Sequence, residues 1–292
     1  MQDDAPGLKA SAFAPAANAE QTGAIRRVAL GVSYVGSAYK GWQSQLGGGT
    51  VQDELEAALS KFAVRPIKVM CAGRTDAGVH GINQVVHLDT EINRTAFSWI
   101  RGTNTFLPRD IAVQWATEVP RDFHARNSAV GRRYAYVLLE AVVRPALEAG
   151  RVGWVFRPLD IDAMREAATY LVGEHDFSSF RSSLCQSPTP VKHLREISIR
   201  RCGPSGTSTA YWRFDFEGKA FLHHMIRNLM GCLLAVGTGA QRPSWVQEVL
   251  LARDRKVAAP TFSPDGLYFL GPRYEPSWAL PEQVPGLDWL PS

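Results

Sequence analysis

The sequence predicts an α+β protein made of two ferredoxin-like units, each with the element order βαββαβ. Apolar residues switch between the alternation typical of strands and the wider spacing typical of helices. The order of elements that results in the first half of the chain returns in the second half. A length of 292 residues suits two domains or one large α+β unit. We expect the two units to lie side by side, joined through residues 125–131, with a cleft between them.

The first half begins with a strand and a helix. Apolar residues alternate from Val28 to Tyr34, which predicts a half-buried strand over residues 26–34. Thr50 can cap a helix, and apolar residues from Val51 to Phe62 repeat at helical spacing, so a helix is predicted over residues 51–63. The other predicted elements of this half are strands at residues 67–72, 84–88 and 111–119 and a helix at residues 95–102.

The second half repeats this order, with no evident sequence identity to the first. Its predicted elements are strands at residues 134–139, 194–200, 211–216 and 267–270, helices at residues 162–172 and 221–236, and a short helix after Ser244. The chain is thus divided into a disordered tail (1–24), an N-terminal domain (25–125), a C-terminal domain (126–274) and a second tail (275–292).

The charge of the chain is only weakly basic. It has 32 Lys and Arg against 28 Asp and Glu, a formal charge of +4, which alone does not identify a nucleic-acid-binding protein. Basic residues are clustered, often beside aromatic residues, which suits phosphate contacts and base stacking but is also typical of solvated surface. The clusters lie at residues 26–27, 121–126, 132–133, 192–195, 200–201 and 253–256.

Cysteine spacing and hydropathy indicate the compartment. The four cysteines are far apart and form no C-x-x-C pair, which predicts free thiols in a reducing cytosol. The first 23 residues carry early acids and no continuous apolar stretch, so they do not resemble a secretory signal. No later segment is long and apolar enough to span a bilayer. We therefore expect a cytoplasmic protein without membrane contact.

The loop at residues 71–81, CAGRTDAGVHG, is the most informative stretch of the chain. It places Arg74 and Asp76 between two predicted strands, and its glycines allow positive φ and close approach of another molecule. A lone aspartate in such a loop is more often the cap of a turn. Further motifs along the chain favour a catalytic role for this aspartate.

The chain resembles the tRNA pseudouridine synthase A family. The motifs that carry the resemblance, in family order, are YVGSAYKGWQ (34–43), AGRTDAGVHG (72–81), DFHAR (122–126), RRYAY (132–136), GEHDF (173–177), FLHHMIRN (221–228) and GLY (266–268). Two departures are a longer Ala/Pro-rich N-terminus and a less basic segment at 185–191, where Pro188 and Val191 stand. The second departure could weaken a contact to the RNA backbone.

This resemblance implies an isomerase that converts uridine to pseudouridine at positions 38, 39 and 40 of the tRNA anticodon stem-loop. It implies two ferredoxin-like domains with joined sheets, an active site in their cleft, a homodimer, and no cofactor. Asp76 would be the nucleophile. Whether that carboxylate adds to the base or acts on the sugar stays open.

The nucleophile has to be ionised, so a cation should lie beside it, and the sequence offers Arg227 and Arg74. Arg227 follows an apolar run, where a charge should have a partner. The resemblance makes Arg227 the partner of the nucleophile; otherwise it is a surface arginine at a helix edge. The resemblance has Arg74 fill the gap left by the flipped nucleotide or hold its phosphate; otherwise it only positions a phosphate.

Tyr134 and Leu267 are the other expected pocket residues. Tyr134 and Tyr136 alternate, so their rings should share one face of a strand, where a core role is the ordinary interpretation. By resemblance, the Tyr134 ring stacks on uracil and its hydroxyl assists proton movement. Leu267 is either a core residue or, by resemblance, the apolar wall against the base.

A metal site and a phosphate loop are not expected. His80, His87, His223 and His224 lack an acidic partner at ligand spacing, and adjacent histidines on a helix point about 100° apart. The Gly47–Thr50 stretch lacks the Gly-Lys-Ser/Thr ending of a phosphate loop.

Two other functions compete with the isomerase. A non-catalytic RNA-binding protein built of ferredoxin-like units should carry an RNP-like aromatic signature, which is not found. A carboxylate-dependent hydrolase would need a second carboxylate near Asp76, and Asp89 is expected at the far end of the next strand.

Overall fold

The computed structural model describes residues 24–203 and 209–281. Within those residues it has ten β-strands and five α-helices. The strands are β1 (Arg26–Tyr34), β2 (Met70–Cys71), β3 (His80–Thr90), β4 (Ile111–Val119), β5 (Ala129–Glu140), β6 (Gly153–Val155), β7 (Gly173–Asp176), β8 (Val191–Cys202), β9 (Ala210–Gly218) and β10 (Leu267–Tyr274). The helices are α1 (Val51–Ala63), α2 (Ala96–Asn104), α3 (Ile161–Thr169), α4 (Met225–Gly237) and α5 (Trp245–Ala252).

The first half folds as a ferredoxin-like unit. Its elements follow the order β1-α1-β2-β3-α2-β4, and its strands lie side by side in the order β4-β1-β3-β2. The strands of this unit pair antiparallel. Helix α1 begins where the side chain of Thr50 accepts a hydrogen bond from the Asp53 N–H, and it ends at Val64, which has a left-handed backbone. Both ends are therefore local features of the sequence.

The second half repeats this topology. Strands β10, β5, β9 and β8 lie in the same relative order as β4, β1, β3 and β2, with β7 added at the far edge. The sheets of the two units join where β10 pairs parallel with β3, through Tyr268 opposite His80 and Phe269 opposite Gly81. The predicted fold class is thus confirmed. We propose residues 25–125 and 126–274 as the two domains, the division that the sequence predicts.

Helices cover the strands of each unit with a separate apolar cluster. In the first unit, Leu55 and Leu59 of α1 and Trp99 of α2 are fully buried and belong to one cluster with the apolar side chains of β1. In the second, a larger cluster joins α3, α4 and α5 to β5, β9 and β10. Burial of one large apolar side chain stabilises the fold by roughly 1.5–3 kcal/mol.

Several predicted elements have different bounds in the structure. The strand predicted at residues 67–72 is only Met70–Cys71, because side chains of α1 bind the preceding amides: the Ile67 N–H donates to Ser60 and the Val69 N–H to Glu56. The predicted helix at 162–172 ends at Thr169, and Gly173 begins a strand instead. Strands β6 and β7 were not predicted.

The helix predicted at residues 221–236 begins four residues late, at Met225. Its N-cap is His224, whose φ of 62° is left-handed and cannot continue a helix. The chain from Phe221 to His224 is therefore a turn, and this difference shapes the site described below.

The predicted N-terminal tail, apart from residue 24, lies outside the described residues, as do residues 282–292 of the predicted C-terminal tail. The described part of that second tail packs on the first unit. The Trp278 ring meets the buried Phe123 ring edge-on, with 5.2 Å between ring centroids. None of the helices within the described ranges is long and apolar enough to cross a bilayer.

Candidate active site

The loop that carries Asp76 lies between β2 and β3, beside the place where the two units join. An N-terminal segment holds its backbone from one side. The Trp42 N–H donates to the Thr75 carbonyl at 3.0 Å, and the Val79 N–H closes a turn on the Asp76 carbonyl at 3.1 Å. Gly41 has φ +92°, and a Cβ there would lie 2.7 Å from the Thr75 carbonyl oxygen. Glycine at this position therefore permits the close approach.

Buried polar side chains support the loop from beneath. The hydroxyls of Tyr34 and Thr75 share a hydrogen bond of 2.8 Å. Gln84, which is fully buried, donates from Nε2 to the Gly73 carbonyl. Burial, the largest cause, raises the pKa of Tyr34 far above its usual range, so its hydroxyl stays protonated. The backbone on both sides of Asp76 is thus fixed before any substrate arrives.

Asp76 faces three nitrogen-bearing side chains from the second unit. Arg227 Nη1 lies 3.4 Å from Asp76 Oδ2, His223 Nε2 lies 3.4 Å from Oδ1, and His224 Nε2 lies 3.6 Å from Oδ2. The side chains of Asp76 and Arg227 keep only 18% and 15% of their exposure. Arg227 is oriented by a second bond, from Nε to the Phe262 carbonyl at 2.9 Å. A partly desolvated ion pair therefore spans the junction of the two units.

The two histidines converge because they precede α4 rather than lie on it. The left-handed backbone of His224 turns the chain, and the two imidazole centroids lie 4.0 Å apart. Burial, the largest cause, lowers the pKa of His224, and the neighbouring His223, Arg227 and Arg255 act in the same direction against the opposing effect of Asp76. His224 is therefore neutral near pH 7. Arg227 is the permanent positive charge beside Asp76.

The positions of His223 and His224 bear on the expectation that this chain has no metal site. The expected divergence of His223 and His224 is wrong, since that expectation placed both residues on a helix. Within the described part of the chain, Asp76, His223 and His224 each offer a ligand atom, and these atoms lie within 4.8 Å of one another. A carboxylate with two imidazoles is a donor set that a divalent transition metal can use.

Tyr134 lies in the apolar cluster that borders this site. Its ring on β5 meets Phe221 edge-on at 5.1 Å and lies 4.9 Å from Phe269, measured between centroids. Burial raises the pKa of the Tyr134 hydroxyl far above its usual range, and the negative charge of Asp76 is the next largest cause. That hydroxyl is a proton donor at any physiological pH. As predicted, Tyr136 shares the same cluster.

Leu267 is buried and pairs with Tyr136 in the β10–β5 ladder. It belongs to the same apolar cluster as Tyr134 and Val79, the latter at the end of the Asp76 loop. The structure therefore places Leu267 in the core close to the candidate site.

Arg74 is not the partner of Asp76. It is exposed, and within residues 24–203 and 209–281 it makes no hydrogen bond or ion pair. Of the two cations that the sequence offered, the structure brings only Arg227 to the carboxylate. Arg74 is left available for a ligand of opposite charge.

Sequence reasoning missed four polar residues of the site: His223, His224, Tyr34 and Gln84. The histidines were visible in the motif that carries Arg227, but no local signal indicated the left-handed turn at His224. Tyr34 lies on a strand whose alternation indicated only burial, and Gln84 begins a predicted strand that carried no signal for the site. Asp89, considered as a second carboxylate, pairs with Arg27 at 2.7 Å on β1 and is absent from the cluster around Asp76.

The chain is similar in sequence to known proteins over most of its length. A family model described as tRNA pseudouridine synthase matches residues 31–127 and 167–275. The tRNA pseudouridine synthase A of Methylibium petroleiphilum is 67% identical over 265 residues, covering 91% of this chain and 100% of the relative. That of Polaromonas naphthalenivorans is 66% identical over 266 residues, with the same coverage.

A solved structure titled as an archaeal box H/ACA sRNP Nop10-Cbf5 complex also resembles the chain. The match covers 79% of this chain and 60% of the solved chain, with 13% sequence identity and a TM-score of 0.31.

Proposed function

The chain belongs to the tRNA pseudouridine synthase family, and we propose that it isomerises uridines 38, 39 and 40 of the tRNA anticodon stem-loop with Asp76 as the nucleophile. Membership of the family makes it an enzyme that forms pseudouridine in tRNA. The positions and the role of Asp76 are the steps that we add. The relatives align along their entire length with 91% of this chain.

The ion pair between Asp76 and Arg227 is the observation that carries the proposal. A carboxylate acts as a nucleophile only when ionised, and the Arg227 guanidinium lies 3.4 Å from this one. The remaining exposure of Asp76 leaves it accessible to a base in the cleft. RNA binding alone does not require this ion pair, because binding depends on cations that contact phosphates.

The reaction is an isomerisation, so all atoms and electrons of the uridine are retained. The N1–C1′ bond breaks, the uracil turns while bound, and a C5–C1′ bond forms as the C5 proton moves to N1. The carboxylate can add to the base, or it can capture or deprotonate the sugar, and the geometry is compatible with either route. No oxidant, reductant or phosphate donor is required.

We assign roles to the other residues on the same basis. The Tyr134 ring would stack on the uracil, and its protonated hydroxyl would assist transfer of the C5 proton. Leu267 would form part of the apolar wall behind the base. Arg74, which is exposed and unpaired within the described residues, would fill the gap left by the flipped nucleotide or hold its phosphate. We further propose a cytoplasmic homodimer.

Site-resolved mapping of pseudouridine tests the assignment of positions. The purified protein is incubated with three anticodon stem-loop transcripts, each carrying its single uridine at position 38, 39 or 40. A fourth transcript, whose uridines lie only outside the anticodon arm of a whole tRNA, is the control. We expect conversion of the first three alone. Conversion of the control in place of the others would contradict the proposed positions while leaving the family activity intact.

A further inference from the structure

A polar cavity of about 520 Å³ opens beside the site of Asp76. It lies between the turn that follows β7, the first turn of α4 and the segment after α5. Its walls include Arg181, Ser182, His224, Asn228, Arg255 and Thr261. Its volume falls within the range of roughly 300–1,000 Å³ that is usual for ligand sites, and all of its lining residues are polar or charged.

The two arginines of this cavity bind only neutral groups. Arg181 Nη2 donates to the Cys185 and Ser187 carbonyls, each at 2.8 Å. Arg255 Nη2 donates at 3.1 Å to the Asn228 and Thr261 side chains. No carboxylate of the described residues lies within ion-pair distance of either guanidinium.

Several arginines elsewhere on the chain, in contrast, are paired with carboxylates. Arg27 pairs with Asp89, Arg195 with Glu217 and Arg213 with Asp215. Asp176 lies near Arg181 but is bonded to Ser178 and Arg253. The cavity thus holds two guanidinium groups that have no ion-pair partner among the described residues, together with several donors, which is the chemistry of an anion site.

His224 connects the cavity to the reaction site. Its imidazole lines the cavity, and its Nε2 lies 3.6 Å from Asp76 Oδ2. Arg255 lines the same cavity as this imidazole. An anion in the cavity would therefore be an immediate neighbour of whatever group contacts Asp76.

We propose that this cavity binds a phosphodiester of the tRNA backbone next to the target uridine, held by Arg181 and Arg255. The inference rests on the proposed function, since the target base must enter the site of Asp76. Guanidinium groups recognise phosphate through paired N–H donors, and the hydroxyls around them can donate to the same oxygens. Such a contact would fix the register of the nucleotide without reading its base.

A binding experiment on an inactive enzyme tests the first part. Affinity for tRNA is measured by fluorescence anisotropy between 50 and about 300 mM salt, with Asp76→Asn as the parent so that no substrate is converted. Adding Arg181→Gln should weaken binding about tenfold and lower the salt slope by about one ion. The matched control is Arg242→Gln, which removes an exposed arginine at the opposite end of α4, about 20 Å away.

Arg181→Gln also removes the hydrogen bonds to the Cys185 and Ser187 carbonyls, so it can alter this loop as well as the charge. A second measurement therefore changes the RNA and leaves the cavity of the parent protein intact. Anticodon stem-loops with one neutral methylphosphonate are scanned over the phosphates within two nucleotides of the target uridine. We expect one position at which the neutral linkage weakens binding to the Asp76→Asn parent about tenfold. At that position the linkage should cause no further loss of binding to the protein that also carries Arg181→Gln. Equal losses in both proteins at every position would overturn the proposal, as would unchanged tRNA affinity of Arg181→Gln.

These outcomes do not depend on turnover. If the wild-type protein formed no pseudouridine while the coupling at one phosphate was present, the proposed function would fail and the phosphate site would stand. If Arg181→Gln no longer bound inorganic phosphate but still bound tRNA as tightly as the parent, the cavity would be a site for a free anion. That result would overturn the assignment to the RNA backbone.

Discussion

The hydroxyls of Tyr34 and Thr75 lie 2.8 Å apart in a buried hydrogen bond, and Thr75 directly precedes Asp76 in the chain. Tyr34 belongs to β1, and Thr75 to the loop, so this bond ties the loop to the sheet. The same loop is tied from above, where the Trp42 N–H donates to the Thr75 carbonyl. The two contacts fix the peptide that precedes Asp76, and with it the direction of the carboxylate.

Tyr34→Phe should therefore lower turnover more than it lowers tRNA binding. The substitution keeps the ring but leaves the buried Thr75 hydroxyl unpaired, at a stability loss of roughly 1–3 kcal/mol. We expect the single-turnover rate to fall severalfold while Kd for tRNA stays the same. Tyr39→Phe is the matched control, because its hydroxyl binds Asp110 instead. An equal fall in rate in both variants would contradict a positioning role for Tyr34.

Removal of the nucleophile gives the second prediction. Asp76→Asn and Asp76→Ala should abolish turnover and leave tRNA binding within a few fold of the wild type, because affinity depends mainly on phosphate contacts elsewhere. The measurements are pseudouridine formation under single-turnover conditions and anisotropy with labelled tRNA. Measurable pseudouridine from a well-folded Asp76→Ala protein would remove Asp76 from the role of nucleophile.

Local patterns in the sequence account for much of the fold. The predicted bounds of β1, α1 and β4 match the structure, because strand alternation and an N-cap at Thr50 are set by neighbours in sequence. The repeated βαββαβ order also followed from such patterns. Where the prediction failed, the cause was distant: Ser60 and Glu56 occupy the amides that would have extended β2.

The site was predictable by residue but not by geometry. The motifs indicated Asp76, and the apolar run before Arg227 indicated a charge in need of a partner. The choice between Arg227 and Arg74 could not be made, since the ion pair joins residues 151 positions apart. The convergence of His223 and His224 depends on a left-handed residue that is not a glycine, which composition does not reveal.

The third prediction concerns metals. An ion held by Asp76, His223 and His224 would ligate the carboxylate that the reaction needs free. Protein treated exhaustively with chelator and then dialysed should therefore keep full activity on tRNA folded separately in magnesium. Added Zn²⁺ should inhibit it. Loss of turnover that one specific divalent ion restores would instead show that the three donors hold a required metal.

The stability of the fold should depend on pH through His87. Burial, with smaller contributions from the charges of Arg27 and His124, lowers the pKa of His87 to about 4, and its Nδ1 accepts a hydrogen bond from the Ala125 N–H. The unfolded chain, with a pKa near 6.5, binds more protons than the native state between those values. The free energy of unfolding should therefore fall as the pH is lowered from 6.5 towards 4.

Urea unfolding of the wild type and of His87→Gln at several pH values in that range measures this effect. Glutamine cannot gain a proton, so the variant should lose less stability on acidification than the wild type. Other titrating groups act on both proteins equally and cancel in the difference. Parallel pH dependences for the two proteins would show that His87 does not contribute.

Arg227→Met gives the last prediction, because it keeps an unbranched side chain and removes the charge. Loss of one partner from a buried ion pair costs the fold roughly 3–5 kcal/mol of stability. The pair here is partly exposed and 3.4 Å long, so we expect the lower end for stability and, because the carboxylate loses the group that orients it, about a hundredfold fall in turnover.

Arg227→Lys separates charge from shape. A lysine restores the positive charge but lacks the planar fork that binds the Phe262 carbonyl and the Asp76 carboxylate together, so it should rescue turnover only in part. Urea unfolding and tRNA binding of both variants establish that the losses arise at the reaction step. Near-normal activity of Arg227→Met at neutral pH would show that Asp76 does not rely on this pair. Arg74, exposed and unpaired within the described residues, would then be the cation to test.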